Sequence, residues 1–296
     1  MTTSQKYFDP ETLAKLSTLQ LRAQVLIEGL LAGAHRSPLH GHSIEFAQHR
    51  EYTFGDDVRS VDWKVYARTD KYYVKQFEDE TSLACYMLLD QSESMQYQGA
   101  DSALSKLQYG QLIACCLSYL VVRQQDAAGL ATFSSGVDDW LPASSSPSTF
   151  GEMVRILEAG DSRKRTSIQE AVEQTVARLP RRSMIVLISD LLEEVDSVAA
   201  ALRLAKFAGH DVMVIGILDR DELDFPFDSP SHFEGLESAG DVLTDPLLIG
   251  GAYREAMAQA RRELKNSCGE LNVDLFDIVT DVSLAKHLPE ILASRR

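Results

Sequence analysis

The sequence lacks the motifs of several common enzyme classes. Its 296 residues contain no G-x-S-x-G, G-x-x-x-x-G-K-[ST], H-E-x-x-H or G-x-G-x-x-G motif. These motifs mark serine hydrolases, P-loop nucleotide-binding proteins, zinc proteases and dinucleotide-binding proteins, respectively. We therefore expect a protein that is not an enzyme.

Paired cysteines and long apolar runs are also missing. None of the four cysteines belongs to a C-x-x-C pair, and Cys85, Cys115 and Cys116 lie within apolar patterns typical of buried free thiols. No apolar run approaches the roughly 18 residues that a membrane span needs, and residues 1–16 contain no apolar signal core. We expect a cytoplasmic protein with reduced cysteines and no membrane span, which could still dock onto a membrane-bound partner.

Positive charge is scarce. The chain has 29 Lys and Arg against 44 Asp and Glu, which gives a formal net charge of −15. A broad negative surface repels phosphate backbones, so we predict that nucleic acid is not a partner. Apolar residues make up 45% and charged residues 25% of the chain, which is typical of a globular protein with a sizeable core.

From residue 83 onward, apolar runs of strand length alternate with amphipathic helices. This alternation predicts parallel strands covered by helices on both faces. The predicted fold class is α/β, with an open, doubly wound, mostly parallel sheet. We predict one domain over residues 83–296, with a hairpin insertion around 220–247 whose strands are Phe233–Glu237 and Asp241–Thr244.

Residues 1–82 show a different pattern. An apolar face with helical spacing predicts a helix over 10–31. Residues 41–82 mix aromatic side chains with both signs of charge and include one strand-like run, "YYVKQF". We predict an N-terminal helix and a charged, aromatic loop-and-strand segment that pack on the main domain.

Oxygen-bearing side chains follow two of the predicted strands. Asp90, Ser92 and Ser94 come after "YMLL", Asp190 comes after "MIVLIS", and Thr166 precedes a helix. Ligands of doubly wound sheets bind beyond the carboxyl ends of the strands, and Mg²⁺ prefers six oxygen ligands. The pattern predicts an Mg²⁺ site, with Mn²⁺ or Ca²⁺ as alternatives. The competing interpretation is that Asp90 and Thr166 are helix N-caps and the serines are loop residues.

These residues resemble the metal-ion-dependent adhesion site of von Willebrand factor type A domains. The resemblance covers the D-x-S-x-S motif, the threonine before a helix and the "LISD" strand end, in element order over residues 83–296. It implies that Ser92 and Ser94 ligate the metal directly and that Asp90 acts mainly through water. It implies that Thr166 and Asp190 ligate either directly or through water.

The sequence departs from that family at one place. Type A domains often have two glycines before the threonine that ligates the metal, where this chain has Lys164 and Arg165. Together with Arg163, these residues could surround the cleft and favour an acidic partner. We predict that five residues contact the partner, namely Arg163, Lys164, Arg165, Glu93 and Glu193.

The upstream stretch resembles the bacterial domain-of-unknown-function 58 family. The shared pattern is E-F, R-x-Y, G-D-D-x-R, D-W, A-R and V-K-x-F-E, in fixed order within residues 45–78. The resemblance implies a partnership with AAA+ ATPases of the MoxR type. It implies no reaction, because the biochemical activity of the family is undefined.

Three functional hypotheses follow. The first is a metal-dependent interaction module that binds a partner carboxylate through Mg²⁺, working with a MoxR-type ATPase and a client protein in assembly or maturation. The second is a hydrolase of the phosphoesterase type that uses Mg²⁺ or Mn²⁺ in the same cleft, with Glu93, Glu193 or Glu194 as a base. The third is an adaptor whose metal motif no longer binds metal.

Overall fold

The computed structural model describes residues 18–34, 49–52, 63–69, 71–75, 84–160, 166–180, 182–228, 231–233, 242–244 and 246–293. These residues belong to two compact units. The larger unit combines the chain up to residue 33 with the chain from residue 83 onward, and the smaller unit is residues 34–82.

The smaller unit contains two short strands and one helix in its described part. Strand β1 (His49–Glu51) pairs antiparallel with β2 (Tyr73–Lys75), and helix α2 (Trp63–Thr69) lies between them in sequence. The rings of Tyr66 and Tyr72 stack with their centroids 4.5 Å apart. The strand predicted within "YYVKQF" is confirmed as β2.

Helix α1 (Leu19–Ala34) belongs almost entirely to the larger unit. The Thr18 hydroxyl accepts a hydrogen bond from the Leu21 amide at its first turn. Ala23 and Leu26, both on the predicted apolar face, are fully buried in the core of that unit. The first part of the predicted helix, residues 10–17, lies outside the described residues. The predicted 1–82 segment therefore belongs to two units. Helix α1 packs in the core of the larger unit, and residues 34–82 form the smaller unit.

A six-stranded sheet forms the centre of the described part of the larger unit. Its strands are β3 (Ala84–Asp90), β4 (Ala127–Phe133), β5 (Val137–Ser144), β6 (Met184–Ser189), β7 (Asp211–Leu218) and β10 (Asp274–Val279). Their order is β10-β7-β6-β3-β4-β5, and every neighbouring pair is parallel except β4 and β5. The predicted open, doubly wound, mostly parallel sheet is confirmed.

Helices cover both faces of this sheet, as predicted. The helices after β3 are α3 (Lys106–Arg123), α4 (Pro147–Ala159), α5 (Ile168–Val176), α6 (Val195–Phe207), α8 (Pro246–Glu270) and α9 (Leu284–Ala293), and the short α7 (Arg220–Asp224) follows the end of β7. Side chains of α1, α3, α4 and α9 pack in one apolar core, and those of α5, α6 and α8 pack in the other.

Strand β3 separates the two cores. Its side chains point alternately to opposite faces of the sheet, as the pleat requires. Met87 and Leu89 join the first core, whereas Tyr86 and Leu88 join the second. Burial on both faces explains why this strand has the near-continuous apolar sequence that is typical of a central parallel strand.

The order of strands reverses between β3 and β6. From β3 the chain continues to β4 on one side, and it later returns to β6 on the other side of β3. Leu89 is paired with Ile188, so both strands end at the same edge of the sheet. This edge is the topological switch point, where ligands of such sheets bind.

The insertion after β7 contains an antiparallel pairing, but its first strand ends at Phe233, where the predicted strand Phe233–Glu237 begins. Strand β8 (Ser231–Phe233) pairs with β9 (Val242–Thr244), with Phe233 opposite Val242. Residues 234–241, which include the predicted turn, lie outside the described residues.

Candidate metal centre

Asp90 occupies the centre of the site. It ends β3, is fully buried, and accepts a hydrogen bond from the Ser92 amide at 2.9 Å. Ser92 precedes a short 3₁₀ helix, Glu93–Gln96, but its hydroxyl caps no backbone amide there. The hydroxyl oxygens of Ser92 and Ser94 instead lie 3.0 Å apart. The strand end thus holds two neighbouring hydroxyls beside one buried carboxyl group.

Thr166 lies at the same carboxyl group. Its hydroxyl is 3.3 Å from Asp90 Oδ1 and 3.4 Å from Oδ2. The N-cap of α5 is the next residue, Ser167, whose hydroxyl accepts a hydrogen bond from the Glu170 amide. The interpretation of Thr166 as a helix cap is therefore wrong, because Ser167 performs that role and the Thr166 hydroxyl points to Asp90.

The end of β6 provides the third segment. The Ser189 hydroxyl donates a hydrogen bond of 2.6 Å to Asp90 Oδ2. Asp190, the next residue, is 1% exposed and lies close enough to raise the pKa of Asp90 by electrostatic repulsion. Three segments that are distant in sequence therefore meet around Asp90.

Lys106, which the sequence did not single out, is also part of this site. Its side chain is fully buried, and its ammonium lies 2.8 Å from Asp190 Oδ2 and 2.5 Å from Glu222 Oε1. Burial lowers the pKa of Lys106, but the two carboxylates outweigh burial and hold that pKa above its usual value. The ammonium is thus charged and links the end of β6 to α7.

Helix α7 is fixed at the end of β7 by its own cap. Asp219 and Glu222 form a capping box, and Asp219 also accepts hydrogen bonds from the hydroxyls of Ser102 and Thr280, each at 2.7 Å. These bonds, with others from backbone amides, outweigh the effect of burial and lower the pKa of Asp219. Glu222 is therefore held in a defined position toward Lys106.

The carboxyl group of Asp90 differs from its acidic neighbours in its partners. Asp190 and Glu222 share the ammonium of Lys106, whereas Asp90 is hydrogen-bonded to the Ser189 hydroxyl and the Ser92 amide. Burial, reinforced by the charge of Asp190, raises the pKa of Asp90 to about 7. Buried negative charge without a counter-charge is costly, so the site favours either a proton or a cation near Asp90.

One distance in the site matches the spacing of Mg²⁺ ligands. This ion binds oxygens at about 2.0–2.1 Å in octahedral geometry, so neighbouring ligands lie about 3.0 Å apart. The hydroxyls of Ser92 and Ser94 have this separation. Among the described residues, no group of three or more His, Cys, Asp and Glu side chains is arranged to hold a metal. A site here would therefore depend on the serine and threonine hydroxyls.

The residues predicted to contact a partner differ in their surroundings. Glu93 is partly exposed at the start of the 3₁₀ helix. The Glu193 carboxylate accepts a hydrogen bond of 2.7 Å from the Ile168 amide, which joins the loop after β6 to the start of α5. Arg163, Lys164 and Arg165 lie outside the described residues.

The topology and the site together define a class. The sheet order and the hydroxyl and carboxyl side chains at the switch point give this chain a von Willebrand factor type A-like α/β fold. The chain belongs to the family "Protein of unknown function DUF58", whose model matches residues 48–266. The family resemblance seen in residues 45–78 is thereby confirmed.

Curated relatives match over nearly the whole chain. The uncharacterized protein Rv1480 of Mycobacterium tuberculosis is 26% identical over 293 residues, which cover 97% of this chain and 91% of the relative. The uncharacterized protein Mb1516 of Mycobacterium bovis gives the same values.

Several solved structures are similar to this chain. An aerotolerance-related membrane protein from Bacteroides fragilis is 21% identical, with 72% of this chain and 99% of that chain covered and a TM-score of 0.49. BatB from Bacteroides thetaiotaomicron is 19% identical, with coverage of 72% and 98% and a TM-score of 0.44. The SpRpn10 VWA domain is 12% identical, with coverage of 70% and 94% and a TM-score of 0.41.

A membrane-spanning helix needs about 20 predominantly apolar residues. Within the described part of the chain, no helix combines the length and the apolar character that crossing a membrane requires.

Proposed function

We propose that this protein is a metal-dependent interaction module that binds a carboxylate of a partner protein through Mg²⁺ at the candidate metal centre. One observation carries the proposal: hydroxyls from three distant segments surround the buried carboxyl group of Asp90. Such a set of neutral and anionic oxygens suits a hard cation.

The proposed ligands divide by charge. Ser92, Ser94 and Thr166 would hold Mg²⁺ with neutral hydroxyl oxygens, and Asp190 and Asp90 would bind it directly or through water. When bound, the ion supplies a Lewis-acidic position that can accept an oxygen from a partner Asp or Glu. Asp90 and Asp190 balance the charge of the ion, and the neutral hydroxyl ligands add no further negative charge that would repel the incoming carboxylate.

The remaining polar residues keep the ligands in position. Asp90 accepts hydrogen bonds from the Ser92 amide and from the hydroxyl of Thr166, and so holds two ligand-bearing segments together. The Lys106 ammonium donates a hydrogen bond to one oxygen of Asp190 and so restricts the orientation of this carboxylate. Glu193 fixes the start of α5 beside the loop that follows β6.

The proposed partner is a MoxR-type AAA+ ATPase, acting with a client protein in assembly or maturation in the cytoplasm. The family resemblance suggests the ATPase, and the metal centre suggests an acidic side chain as the point of contact. We propose that Arg163, Lys164 and Arg165 add positive charge for that contact, together with contacts from Glu93 and Glu193 at the rim.

A pulldown with the purified ATPase tests this proposal. We expect capture in Mg²⁺, loss of capture with a chelator, and loss in the Ser92→Ala/Ser94→Ala variant. The matched control is Ser146→Ala/Ser148→Ala, because these hydroxyls also lie close together, at 2.7 Å, but are exposed and follow the antiparallel strand β5 at the opposite edge of the sheet. Capture by all variants regardless of Mg²⁺ would contradict metal-dependent binding.

The same proteins separate binding from catalysis. We propose that the protein is not an enzyme, so generic phosphoesters should not turn over with Mg²⁺ or Mn²⁺. Turnover that is lost in Asp90→Ala would instead support the hydrolase hypothesis.

A further inference from the structure

Lys106 places a positive charge of the protein itself beside the candidate metal centre. Its side chain is fully buried, and its ammonium donates hydrogen bonds to Asp190 Oδ2 at 2.8 Å and to Glu222 Oε1 at 2.5 Å. A buried charge is stable only when partner charges and hydrogen bonds compensate for the lost hydration. Two carboxylates do so here, and the ammonium therefore stays charged.

Both oxygens of the Asp190 carboxylate already accept hydrogen bonds. Oδ2 accepts the bond from Lys106, and Oδ1 accepts one from the Leu192 amide at 3.3 Å. The Asp190 side chain is only 2% exposed. An Mg²⁺ ion at this centre either displaces one of these donors or binds Asp190 through water. In both cases the ion shares the carboxylate with the Lys106 ammonium.

Glu222 determines how the lysine affects the charge of the centre. Its second oxygen, Oε2, accepts a hydrogen bond of 2.8 Å from the Asp219 amide in the capping box of α7, so the carboxylate is held in place. The Lys106 ammonium balances one negative charge among these buried carboxylates. Replacing the lysine by a neutral residue would therefore leave the centre more negative by one unit. A more negative centre attracts Mg²⁺ more strongly and repels an incoming carboxylate.

Arg261 is a second cation near Asp190, but it has another partner. Its guanidinium lies within electrostatic reach of Asp190 and forms an ion pair with Asp277. Among the described residues, Lys106 is the cation that contacts a proposed Mg²⁺ ligand directly. Any competition between the charge of the protein and the charge of the ion thus falls mainly on Lys106.

We propose that Lys106 is a specificity-determining residue of the metal centre, which weakens the binding of Mg²⁺ alone and strengthens the binding of a partner carboxylate to the bound ion. The inference rests on the proposed function, because both effects act on an ion held by the predicted ligands. The ammonium competes with Mg²⁺ for Asp190, and it cancels a negative charge that would otherwise repel the carboxylate. The free centre consequently holds the ion weakly, and the partner carboxylate adds to its retention.

Calorimetric titration with Mg²⁺ alone tests the first effect. Lys106→Gln removes the charge but keeps a donor for Asp190, whereas Lys106→Met removes both. We expect each variant to bind Mg²⁺ at least about tenfold more tightly than the wild type. The matched control is Lys206→Met, because Lys206 pairs with Asp211 at the amino end of β7. This control should bind Mg²⁺ with the affinity of the wild type.

NMR titration with a capped Gly-Gly-Glu-Gly-Gly peptide at saturating Mg²⁺ tests the second effect. We expect both Lys106 variants to bind this peptide at least about fivefold more weakly than the wild type and the Lys206→Met control. The Gln-for-Glu peptide should bind to none of these proteins. A lysine that only maintained the fold would, on replacement, weaken the binding of the ion and of the peptide together, so the opposite signs identify the proposed role.

Urea unfolding in chelator and in saturating Mg²⁺ separates this role from folding. Tenfold tighter binding of the ion makes the loss of stability in a Lys106 variant smaller in Mg²⁺ than in chelator, by about 1.4 kcal/mol. The comparison also covers a variant that is partly unfolded in chelator, because Mg²⁺ should then restore its folding. An equal loss of stability in both conditions would contradict the proposal.

The outcomes separate this inference from the proposed function. The role of Lys106 is overturned, and the metal centre stands, if the wild type binds Mg²⁺ through Ser92 and Ser94 but neither Lys106 variant binds the ion more tightly. Peptide binding that is undetectable in the wild type, or unchanged in the variants, would overturn the effect on the carboxylate. Absence of Mg²⁺ binding by the wild type and by both Lys106 variants would overturn the proposed function itself.

Discussion

The ammonium of Lys106 lies 2.8 Å from a carboxylate oxygen of Asp190, and both side chains are almost completely buried. Lys106 is the first residue of α3, a position where the helix dipole disfavours positive charge. The two carboxylates, Asp190 and Glu222, compensate for that position. Lys106 therefore connects the candidate metal centre with α7 through side chains that are largely buried.

Replacing Lys106 should destabilise the protein strongly. Lys106→Met leaves the carboxylates of Asp190 and Glu222 buried without their cation, which costs about 3–5 kcal/mol in comparable buried pairs. The control is Lys206→Met, because the ion pair of Lys206 with Asp211 is longer, at 3.4 Å, and partly exposed. We expect that control to lose less than about 1 kcal/mol. Urea unfolding measures both, and equal losses would contradict the account.

Removing the Thr166 hydroxyl should affect both stability and metal binding. Thr166→Val deletes a hydrogen bond to Asp90 and a proposed ligand, so we expect a loss of about 1 kcal/mol and weaker Mg²⁺ binding. Thr175→Val in α5 is the matched control, because the buried Thr175 hydroxyl has no hydrogen-bond partner among the described residues. That change should be close to neutral. Calorimetric Mg²⁺ titration of both variants provides the comparison.

The stability of the metal-free protein should depend on the ionisation of Asp90. Its pKa rises from 3.8 in the unfolded chain to about 7 in the folded protein, so the folded state holds the proton more tightly. This contribution is present at low pH and declines between about pH 4 and 7, by at most about 1.4 kcal/mol per pH unit. The Asp90→Asn substitution removes this pH-dependent contribution to stability.

Urea unfolding in chelator over this pH range gives the test. The difference in free energy of unfolding, wild type minus Asp90→Asn, should fall as the pH rises toward 7 and then become constant. A difference that increases with pH would mean that the Asp90 carboxylate is stabilised by the fold, contrary to the geometry.

Glu193 should act on the start of α5. Glu193→Gln keeps the size of the side chain but removes the negative charge that faces the Ile168 amide, and should cost about 1 kcal/mol or less. Hydrogen exchange of the Ile168 amide should become faster. Glu194→Gln is the control, because exposed Glu194 precedes α6 without a side-chain capping bond. Unchanged exchange at Ile168 in Glu193→Gln would show that this bond is unimportant.

The sheet could be predicted because its signals are local. The apolar runs of β3 and β6 and the helices between them follow patterns that reflect burial on both faces. Their polar ends pointed to the switch point, where Asp90 and Ser189 do meet. Strand β5 (Val137–Ser144) is harder to delimit from the sequence, because its bounds depend on pairing with β4 and not on a continuous apolar run.

The roles of Lys106 and Glu222 could not be predicted from local pattern. Lys106 is separated from Asp190 by 84 residues and from Glu222 by 116, and no spacing rule connects groups that only the tertiary fold brings together. One signal was present: "DRDE" at the end of β7 has the form of a capping box, as the structure confirms for Asp219 and Glu222. The second signal was a lysine at the first position of a helix, where the helix dipole disfavours positive charge.

A titration with Mg²⁺ by calorimetry and thermal unfolding tests the central claim most directly. The wild-type protein and the Ser146→Ala/Ser148→Ala control should bind Mg²⁺ and unfold at higher temperature as its concentration rises, since a ligand of the native state stabilises it. Ser92→Ala/Ser94→Ala should show neither effect while remaining folded. Absence of heat and of any stabilisation in the wild type with Mg²⁺ or Mn²⁺ would contradict the metal centre and favour an adaptor without metal.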